Sequence, residues 1–512
     1  MSTNSFRNCL GIEFGSTRIK SVLIDNEFNP VASGDYTWKS SYTNKIWTYS
    51  LDEVWKGLKA SLSSLDLSGV DAVGISAMMH GYLAFDKDWN LLVPFRTWQN
   101  TITGKASAEL TELFNFNIPQ RWSIAHLYQA VLNNEDHIPQ LAHITTLAGY
   151  VHYMLTGVNA VGIGEASGIF PVNSEILDYD QNMLDKFDKL MSDKNCSIKI
   201  REVLPKVLVA GENAGHLTDK GAALLDNKLT AGIPFAPAEG DAGTGMTATN
   251  AVAPRTGNVS AGTSIFSMIV LEKNLSKVYP EIDMVTTPTG KPVAMVHCNN
   301  CTNDMNAWVS IFKELTELVT GNPADDSIYR KLYEKSLEGN TDCGGVTVYN
   351  YLAGESVTHL DEGRPMVIRN AESSFTLANF IRSMLYSTIS TLKIGMDLLS
   401  EEGVKIDSVT GHGGLFKTPV VGQKYLAAAL NAPVSVMKTA GEGGPYGMAL
   451  LVAYMLRENK DLSLDSFLSE KVFNKAEITV MQPDPNDVEG FNKYIDTYKS
   501  GLGAEEAAVK LI

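Results

Sequence analysis

Two short stretches with the same arrangement decide the fold: residues 11–25, GIEFGSTRIKSVLID, and residues 258–272, NVSAGTSIFSMIVLE. Each has a turn of glycine and hydroxyl residues between two apolar runs, a pattern that predicts a β-hairpin. An offset of 247 positions places the turn 15–17 on 262–264, and Ile19 on Phe266. The similarity is either chance, since such turns are common, or an internal duplication that divides the chain almost in half.

The segments outside these hairpins alternate between strand and helix patterns, which is typical of an α/β fold. Towards the end of the chain, two strand–glycine–helix units follow one another. Their strands are predicted over 407–411 and 434–437, and their helices over 420–430 and 446–456. Glycine loops after such strands lie at the carboxyl edge of a sheet, where open α/β sheets bind ligands. A lobe boundary is predicted near residue 250.

Composition excludes several classes of function. The chain has 512 residues, with 42 Lys and Arg against 58 Asp and Glu, so its net charge is −16. This charge argues against a broad nucleic-acid-binding surface, but a small anion held by backbone amides needs only local dipoles. The longest apolar run, 448–456, is too short for a membrane span, and the first residues lack the apolar core of a signal peptide.

The five cysteines are too few and too scattered for a disulfide framework. One CxxC, Cys298 to Cys301, has no evident second pair of ligands, which favours packed thiols over a zinc site. We therefore expect a soluble protein in a reducing cytoplasm, with no nucleic-acid or membrane partner.

Glycine turns that carry hydroxyl side chains are the first candidate site. The chain has no GxxxxGK[ST], HExxH or GxSxG motif, which argues against P-loop kinases, common zinc proteases and typical α/β-hydrolases. Glycine lets backbone N–H groups approach a phosphate, although each turn by itself also suits an ordinary hairpin or βα turn. The candidate phosphate- and nucleotide-binding residues are Gly15, Ser16, Thr17, Lys20, Gly262, Thr263, Gly413, Gly414 and Gly443.

Two carboxylates form a second candidate site. Asp241, in the small-residue segment 239–245 (EGDAGTG), is either the N-cap of a short helix or a general base that accepts a proton from a substrate hydroxyl. Glu13 lies between apolar neighbours on the first strand, beside the first glycine turn. A carboxylate in that place suggests Mg²⁺, which prefers oxygen ligands. Lys20, on the next strand, is either a solvated edge residue or a phosphate contact.

Seven segments, in order, resemble the FGGY family of carbohydrate kinases, within the actin/hexokinase superfamily and closest to xylulokinase-like pentulose kinases. Residues 13–20 (EFGSTRIK) resemble the family's D-x-G-T/S-x-x-x-K turn, and residues 79–81 (MHG) its Met-His-Gly loop. The other five resemble its catalytic Asp segment, its S-x-G-T-S turn, its Y-L-x-G-E motif and its two adenosine-side loops: GDA (240–242), SAGTS (260–264), YLAGE (351–355), GG (413–414) and EGG (442–444).

The resemblance implies a two-lobed, duplicated actin-like ATPase fold, which is ribonuclease H-like, with ATP in an interlobe cleft. Residues 1–250 would form the sugar-binding lobe with the catalytic Asp241, and residues 251–512 the nucleotide-binding lobe. It also implies Mg²⁺ held through Glu13 and Asp241, and a possible homodimer. The implied sugar contacts are Met79, His80, Trp98 and Asn100.

The chain departs from the family pattern mainly on the sugar side. Glu13 replaces the first Asp, Asn100 replaces the carboxylate of Trp-x-Asp, and 123–129 (SIAHLYQ, with His126) replaces a segment that often carries Lys and Trp. Tyr386 and Ser387 replace a usual Glu-Gly. We therefore expect specificity to follow the divergent first-lobe positions His80, Trp98, Asn100 and His126, and Asn100→Asp to alter the relative rates with different sugars.

The expected activity is ATP-dependent phosphorylation of a hydroxyl on a keto-sugar: a pentulose such as xylulose or ribulose, or a related hexulose or polyol. Two alternatives stay open at this point. One is a non-catalytic sugar- or nucleotide-binding regulator on the same fold, and the other is an ATPase whose acceptor is not a free sugar.

Overall fold

The computed structural model describes residues 6–437 and 443–511. Its contacts divide the chain into a first unit (Met1–Val252, Asp283–Val293 and Glu442–Lys475) and a second unit (Ala253–Ile282, Ala294–Gly441 and Ala476–Ile512). The sequence-based division assigned 283–293 and 442–475 to the second lobe. The contacts of the structure instead group 283–293 and the described residues 443–475 with the first unit.

Strands and helices are mixed along the whole described chain, which confirms the predicted α/β class. The strands are β1 Asn8–Phe14, β2 Arg18–Asp25, β3 Pro30–Thr37, β4 Ser41–Thr43, β5 Ile46–Thr48, β6 Val70–Ala77, β7 Leu83–Phe85, β8 His143–Thr145, β9 Ala160–Gly162, β10 Val172–Asn173, β11 Asp178–Tyr179, β12 Lys206–Leu208, β13 Glu239–Gly240, β14 Thr256–Ala261, β15 Ile265–Val270, β16 Ile282–Thr286, β17 Pro292–Cys298, β18 Val346–Tyr349, β19 Met366–Arg369, β20 Ser408–Gly413, β21 Val434–Met437 and β22 Ile478–Met481.

The helices are α1 Leu51–Leu62, α2 Gly104–Phe114, α3 Ser123–Leu132, α4 Leu147–Thr156, α5 Ile163–Ala166, α6 Gln181–Asp193, α7 Ile200–Val203, α8 Asp219–Leu224, α9 Asp241–Ala248, α10 Asn303–Thr320, α11 Ser327–Ser336, α12 Leu377–Glu401, α13 Val421–Leu430, α14 Gly443–Leu456, α15 Leu464–Phe467 and α16 Pro485–Leu511. Among these described residues, no helix is both long and apolar enough to cross a membrane.

The two large sheets share one strand arrangement. In the first the order is β13-β6-β1-β2-β3, with β1 antiparallel to β2 and parallel to β6. In the second the order is β16-β17-β15-β14-β20-β21-β22, with β14 antiparallel to β15 and parallel to β20. A hairpin followed by a parallel strand beside its first member therefore occurs twice, as the repeat predicts.

The offset of 247 positions holds only as far as the turn. Phe14 pairs with Ile19 in the first hairpin, and Ala261 pairs with Ile265 in the second. The second turn is therefore one residue shorter, and the structural counterpart of Ile19 is Ile265 rather than Phe266. Because side chains alternate between the faces of a strand, this single-residue difference decides which residues of β15 point towards the core.

Helix α14 covers one face of the first sheet at very close range. A Cβ on Gly11 of β1 would lie 2.0 Å from the Pro445 carbonyl oxygen, and a Cβ on Gly74 of β6 would lie 2.4 Å from the Met448 methyl group. Glycine at both positions allows this approach. Alternate residues of a strand share a face, so Glu13 lies on the α14 side of the sheet, two residues beyond Gly11.

Helix α14 begins earlier than the sequence predicts. The predicted loop residues Gly443 and Gly444 form its first turn together with Pro445, whereas the prediction starts the helix at Tyr446. Proline is tolerated in the first turn of a helix, where its missing N–H group costs little. Residues 438–442, which include the rest of that predicted loop and Glu442, lie outside the described residues.

Candidate active site

The turn between β1 and β2 is fixed by aromatic donors. The indole N–H of Trp38 donates to the Gly15 carbonyl at 2.7 Å, and the Tyr49 hydroxyl donates to the Ser16 carbonyl at 2.6 Å. In the described part of the chain, the backbone N–H groups of Ser16 and Thr17 have no acceptor. Backbone N–H groups left without acceptors in a glycine turn suit an anion such as phosphate.

Trp98 lies at the same turn. Its indole N–H donates to the Ser16 hydroxyl at 3.2 Å, and its ring is half-buried against the core of the first unit. The sequence assigns Trp98 to the sugar. The structure adds a bond to the predicted phosphate turn, so Trp98 also orients one of that turn's hydroxyl groups.

Glu13 and Lys20 are directly opposite one another on β1 and β2, and so lie on the same face of the sheet. The Glu13 carboxylate is surrounded by glycine: a Cβ on Gly15 would lie 3.3 Å from Oε1, and a Cβ on Gly444 would lie 1.4 Å from Oε2. Oε2 is buried and has no hydrogen-bond donor among the described residues. Burial and the like charge of Asp241 raise the pKa of Glu13 to about 8, against the opposing influence of Lys20.

Asp241 is the first residue of α9, and Gly240 occupies the N-cap position. Its Oδ1 accepts the backbone N–H of Met79 at 3.1 Å, so the carboxylate is held by a loop from elsewhere in the fold. The N-cap alternative is therefore wrong for this residue. Although Asp241 is exposed, the surrounding protein disfavours its charged form and raises its pKa to about 6.

Met79 and His80 lie in the loop after β6, which ends at Ala77. Both His80 and Gly81 have positive φ angles, 71° and 89°, which turn the chain sharply. The His80 imidazole is buried, stacks on the Trp122 ring at 6.1 Å, and places Nδ1 3.4 Å from the Gly168 carbonyl. The structure thus connects the predicted base to the predicted sugar loop directly, through the Met79–Asp241 bond.

Asn100 has a structural task that the sequence does not reveal. Its Oδ1 accepts the backbone N–H of Trp47 at 2.8 Å, and its Nδ2 donates to the carbonyls of Trp47 and Thr97 at 2.8 and 2.9 Å. The side chain is buried and holds β5 to the loop that carries Trp98. The prediction that Asn100 contacts the sugar is therefore corrected: its side chain joins two backbone segments of the first unit.

His126 also differs from its prediction. It is completely buried on α3, stacks on Tyr82, and has no hydrogen-bond partner for either ring nitrogen among the described residues. Burial lowers its pKa to about 3, so the ring is neutral at physiological pH. A side chain with no accessible surface cannot touch a sugar, and His126 is a core residue.

We expect Asn100→Asp to destabilise the protein and to leave sugar preference unchanged. The carboxylate cannot donate to the Trp47 and Thr97 carbonyls, and a lost buried partner costs about 1–3 kcal/mol. Thermal unfolding measures the loss, with Asn44→Asp, in the exposed turn of the same β4–β5 hairpin, as the matched control. A changed ranking of sugars with unchanged stability would restore the sugar-reading role.

The second unit brings four predicted nucleotide residues together. Gly262 and Thr263 form the turn between β14 and β15, while Gly413 ends β20 and is paired with Ala261 at the end of β14. Gly413 has φ 98°, and a Cβ there would lie 2.4 Å from the Ala261 carbonyl oxygen, so glycine is required for this approach. Gly414 follows at once, and the Gly262 turn has open space around it.

Gly443 belongs to the first unit, as the first residue of α14. Its neighbour Gly444, rather than Gly443 itself, contacts the Glu13 carboxylate. The sequence also missed Thr244, whose hydroxyl lies 3.1 Å from that of Ser76, and the buried Glu165. Nothing local in the sequence marks Glu165, because its neighbourhood is created by distant segments.

Comparison with known proteins decides the family. The FGGY carbohydrate kinase N-terminal domain matches residues 8–247, and the C-terminal domain matches residues 257–456. The chain belongs to the FGGY family of carbohydrate kinases. As an FGGY protein it is a sugar kinase, and the predicted enzyme class and two-domain α/β fold are confirmed.

Similar FGGY proteins differ in their named substrates. The chain is 23% identical over 474 residues to a xylulose kinase of Haemophilus influenzae, covering 85% of this chain and 91% of that one. The solved xylulose kinase of Lactobacillus acidophilus has TM-score 0.80 at 16% identity, with 98% of both chains covered. The gluconate kinase of Lactobacillus acidophilus has TM-score 0.79 at 17% identity, again with 98% of both covered. At these identities, the structural likeness establishes the fold and leaves the sugar open.

Proposed function

We propose that this FGGY kinase transfers the γ-phosphoryl group of ATP to a hydroxyl of a keto-sugar, a pentulose or a related hexulose or polyol. The observation that carries the proposal is the setting of Asp241. Asp241 is an exposed residue, its carboxylate is held by the Met79 N–H of the predicted sugar loop, and desolvation by the surrounding protein raises its pKa to about 6. A general base is most effective when its pKa lies near the working pH.

In this proposal Asp241 accepts the proton of the attacking sugar hydroxyl. The oxygen then forms its bond to the γ-phosphorus as the bond from phosphorus to the ADP oxygen breaks. Positioning and charge neutralisation supply most of the catalysis in phosphoryl transfer. The free N–H groups of Ser16 and Thr17 suit a phosphate oxygen, and Lys20 adds a positive charge on the same face of the sheet.

The nucleotide is proposed to contact backbone groups of the second unit as well. Gly262 and Thr263 form an accessible turn, and Gly413 and Gly414 follow the neighbouring strand. Glycine at these positions keeps side chains away from the backbone that would meet the nucleotide. Gly443 stays a prediction, since the loop before it lies outside the described residues.

The carboxylates of the first unit fit Mg²⁺. Among the described residues, one buried oxygen of Glu13 has no protein donor, and Asp241 lies close enough for its charge to raise the pKa of Glu13. Mg²⁺ usually keeps several waters and takes one or two carboxylates plus substrate phosphates, so an all-protein cage is not expected. The ion would neutralise charge that develops on the transferring phosphoryl group, and Glu13 and Asp241 would hold it directly or through water.

A panel of acceptors tests the substrate class. We expect ADP release to rise at least tenfold over the sugar-free rate with one or more pentuloses, hexuloses or polyols, measured at saturating ATP and Mg²⁺. The xylulose kinase relatives make pentuloses the first compounds to test. Equal ADP release with and without every sugar would favour an ATPase with another acceptor. The homodimer and the cytoplasmic location stay predictions, the first of which sedimentation would test.

A further inference from the structure

A buried glutamate lies behind the predicted base and sugar loop of the first unit. Glu239 is 1% exposed and lies two residues before Asp241 in the sequence. Its Oε1 accepts the backbone N–H of Gly164 at 3.4 Å, and its Oε2 accepts that of Glu165 at 3.1 Å. A buried carboxylate is costly unless its oxygens have donors, so these two bonds account for its tolerance.

The segment that Glu239 holds returns to the sugar loop. Glycine at 164 makes room for the carboxylate, since a Cβ there would lie 2.4 Å from Oε2. Four residues further on, the Gly168 carbonyl lies 3.4 Å from Nδ1 of His80. Met79 then closes the ring of contacts, because its N–H donates to Asp241. The Glu239 carboxylate thus fixes the Asp241 strand end to the segment that contacts His80.

A second buried glutamate has the same relation to the nucleotide turn of the second unit. Glu355 is 1% exposed, and its Oε2 accepts the backbone N–H groups of Asn299 at 2.8 Å and Asn300 at 3.3 Å, together with the Asn300 side-chain N–H at 3.3 Å. Its Oε1 is buried and has no donor among the described residues.

The next two residues hold the turn itself. The Cys301 N–H donates to the Thr263 carbonyl at 3.1 Å, and the Thr302 hydroxyl donates to the Gly262 carbonyl at 2.7 Å. The segment 299–302 is therefore bonded to Glu355 at one end and to the predicted nucleotide turn at the other. Both CxxC thiols are buried, and Cys301 serves this turn through its backbone.

We propose that Glu239 and Glu355 are matched positioning residues, Glu239 for the phosphoryl acceptor side and Glu355 for the nucleotide side. The inference rests on the proposed function. It assigns one buried glutamate to the segment beside the phosphoryl acceptor and one to the segment beside the nucleotide. Neither carboxylate touches substrate. Each acts by holding a backbone segment that carries or contacts groups that do.

The two glutamates differ in the number of carboxylate oxygens that accept hydrogen bonds, so the same substitution is expected to affect them differently. Glu239 uses both oxygens, so Glu239→Gln leaves one N–H without an acceptor. Glu355 uses only Oε2, so the amide oxygen in Glu355→Gln can replace it, whereas Glu355→Ala removes the acceptor. Leaving a buried N–H group without an acceptor should change a rate or binding constant by roughly tenfold or more, where the affected segment positions the bound substrate.

The experiment is steady-state kinetics of Glu239→Gln, Glu355→Ala and Glu355→Gln with the best acceptor of the wild type, together with ATP binding by calorimetry. We expect Glu239→Gln to lower kcat/KM for the sugar about tenfold and to change the ATP Kd less than twofold. Glu355→Ala should raise the ATP Kd about tenfold, and Glu355→Gln should restore it. Gly164→Ala, whose Cβ displaces the Glu239 carboxylate, should reproduce Glu239→Gln with the glutamate intact.

Several outcomes overturn the proposal. A fall in melting temperature with unchanged kinetics would show a purely structural role. Equal changes in kcat/KM for the sugar and in the ATP Kd, in the variants of both glutamates, would show that the two residues do not act on separate substrates. Failure of the wild type to phosphorylate any sugar would contradict the proposed function instead. In that case the ATP Kd of the Glu355 variants, which is measured without turnover, still tests the role proposed for Glu355.

Discussion

Asp241→Asn is expected to lower kcat for sugar phosphorylation by about 10²–10⁴-fold, the usual effect of removing a general base. The amide is nearly the same size, and its oxygen can still accept the Met79 N–H that holds the native carboxylate at 3.1 Å. The loop and the helix α9 therefore stay in place, and only proton acceptance is lost. Steady-state rates of ADP formation at saturating sugar and ATP measure the effect.

Binding measurements serve as the control for this variant. ATP and sugar Kd values should stay within about threefold of wild type, since a conservative change leaves ground-state contacts intact. Because the base must be ionised and its pKa is about 6, wild-type kcat/KM should fall as the pH drops through that value. Turnover of Asp241→Asn at the wild-type rate would remove the role assigned to this residue.

Glu13→Ala is expected to raise the Mg²⁺ concentration that gives half-maximal activity by about 10–100-fold, the effect typical of losing a residue that orients a metal or its waters. The buried Oε2 of Glu13 has no donor among the described residues, so this oxygen is available to a cation, whose charge would favour the ionised carboxylate. Glu13→Asp should keep activity, because an outer-sphere carboxylate tolerates a change of one methylene. Mg²⁺ titrations of initial rate measure both variants.

Gly444→Ala provides the matched test of the same carboxylate. The added Cβ would lie 1.4 Å from Oε2 of Glu13, so the carboxylate must move although Glu13 itself is unchanged. We expect the Mg²⁺ dependence to shift in the direction of Glu13→Ala. A Glu13→Ala protein with the wild-type Mg²⁺ titration would show that the metal assignment is wrong, whatever Gly444→Ala does.

The sequence predicts those parts of the fold that depend on local chemistry. The glycine and hydroxyl turns at 15–17 and 262–264 are specified by residue type, and both lie where hairpins were predicted. Asp241 could be selected because glycines surround it at the end of a strand. The register of the second hairpin was missed by one residue, because both alignments of the repeat place apolar residues in β15.

Features created by distant segments could not be predicted. From the sequence, Asn100 looks like a diverged substrate-binding residue. In the structure its amide is instead bonded to the backbone of Trp47, 53 positions earlier. His126 lies in a segment whose burial depends on the packing around α3. Helix α14 is apolar on all sides, so its pattern does not say which sheet it covers, and its contacts group it with the first unit although it follows most of the second sheet's strands along the chain.

Phosphoryl transfer from ATP to a sugar is tested most directly by product analysis with the purified protein, ATP, Mg²⁺ and the best sugar of the panel, using phosphorus NMR to follow the transferred group. We expect one sugar phosphate ester for each ADP formed by the wild type, and neither product above the sugar-free background with Asp241→Asn. ADP accompanied by free phosphate, at a rate that no sugar changes, would contradict phosphoryl transfer to a sugar.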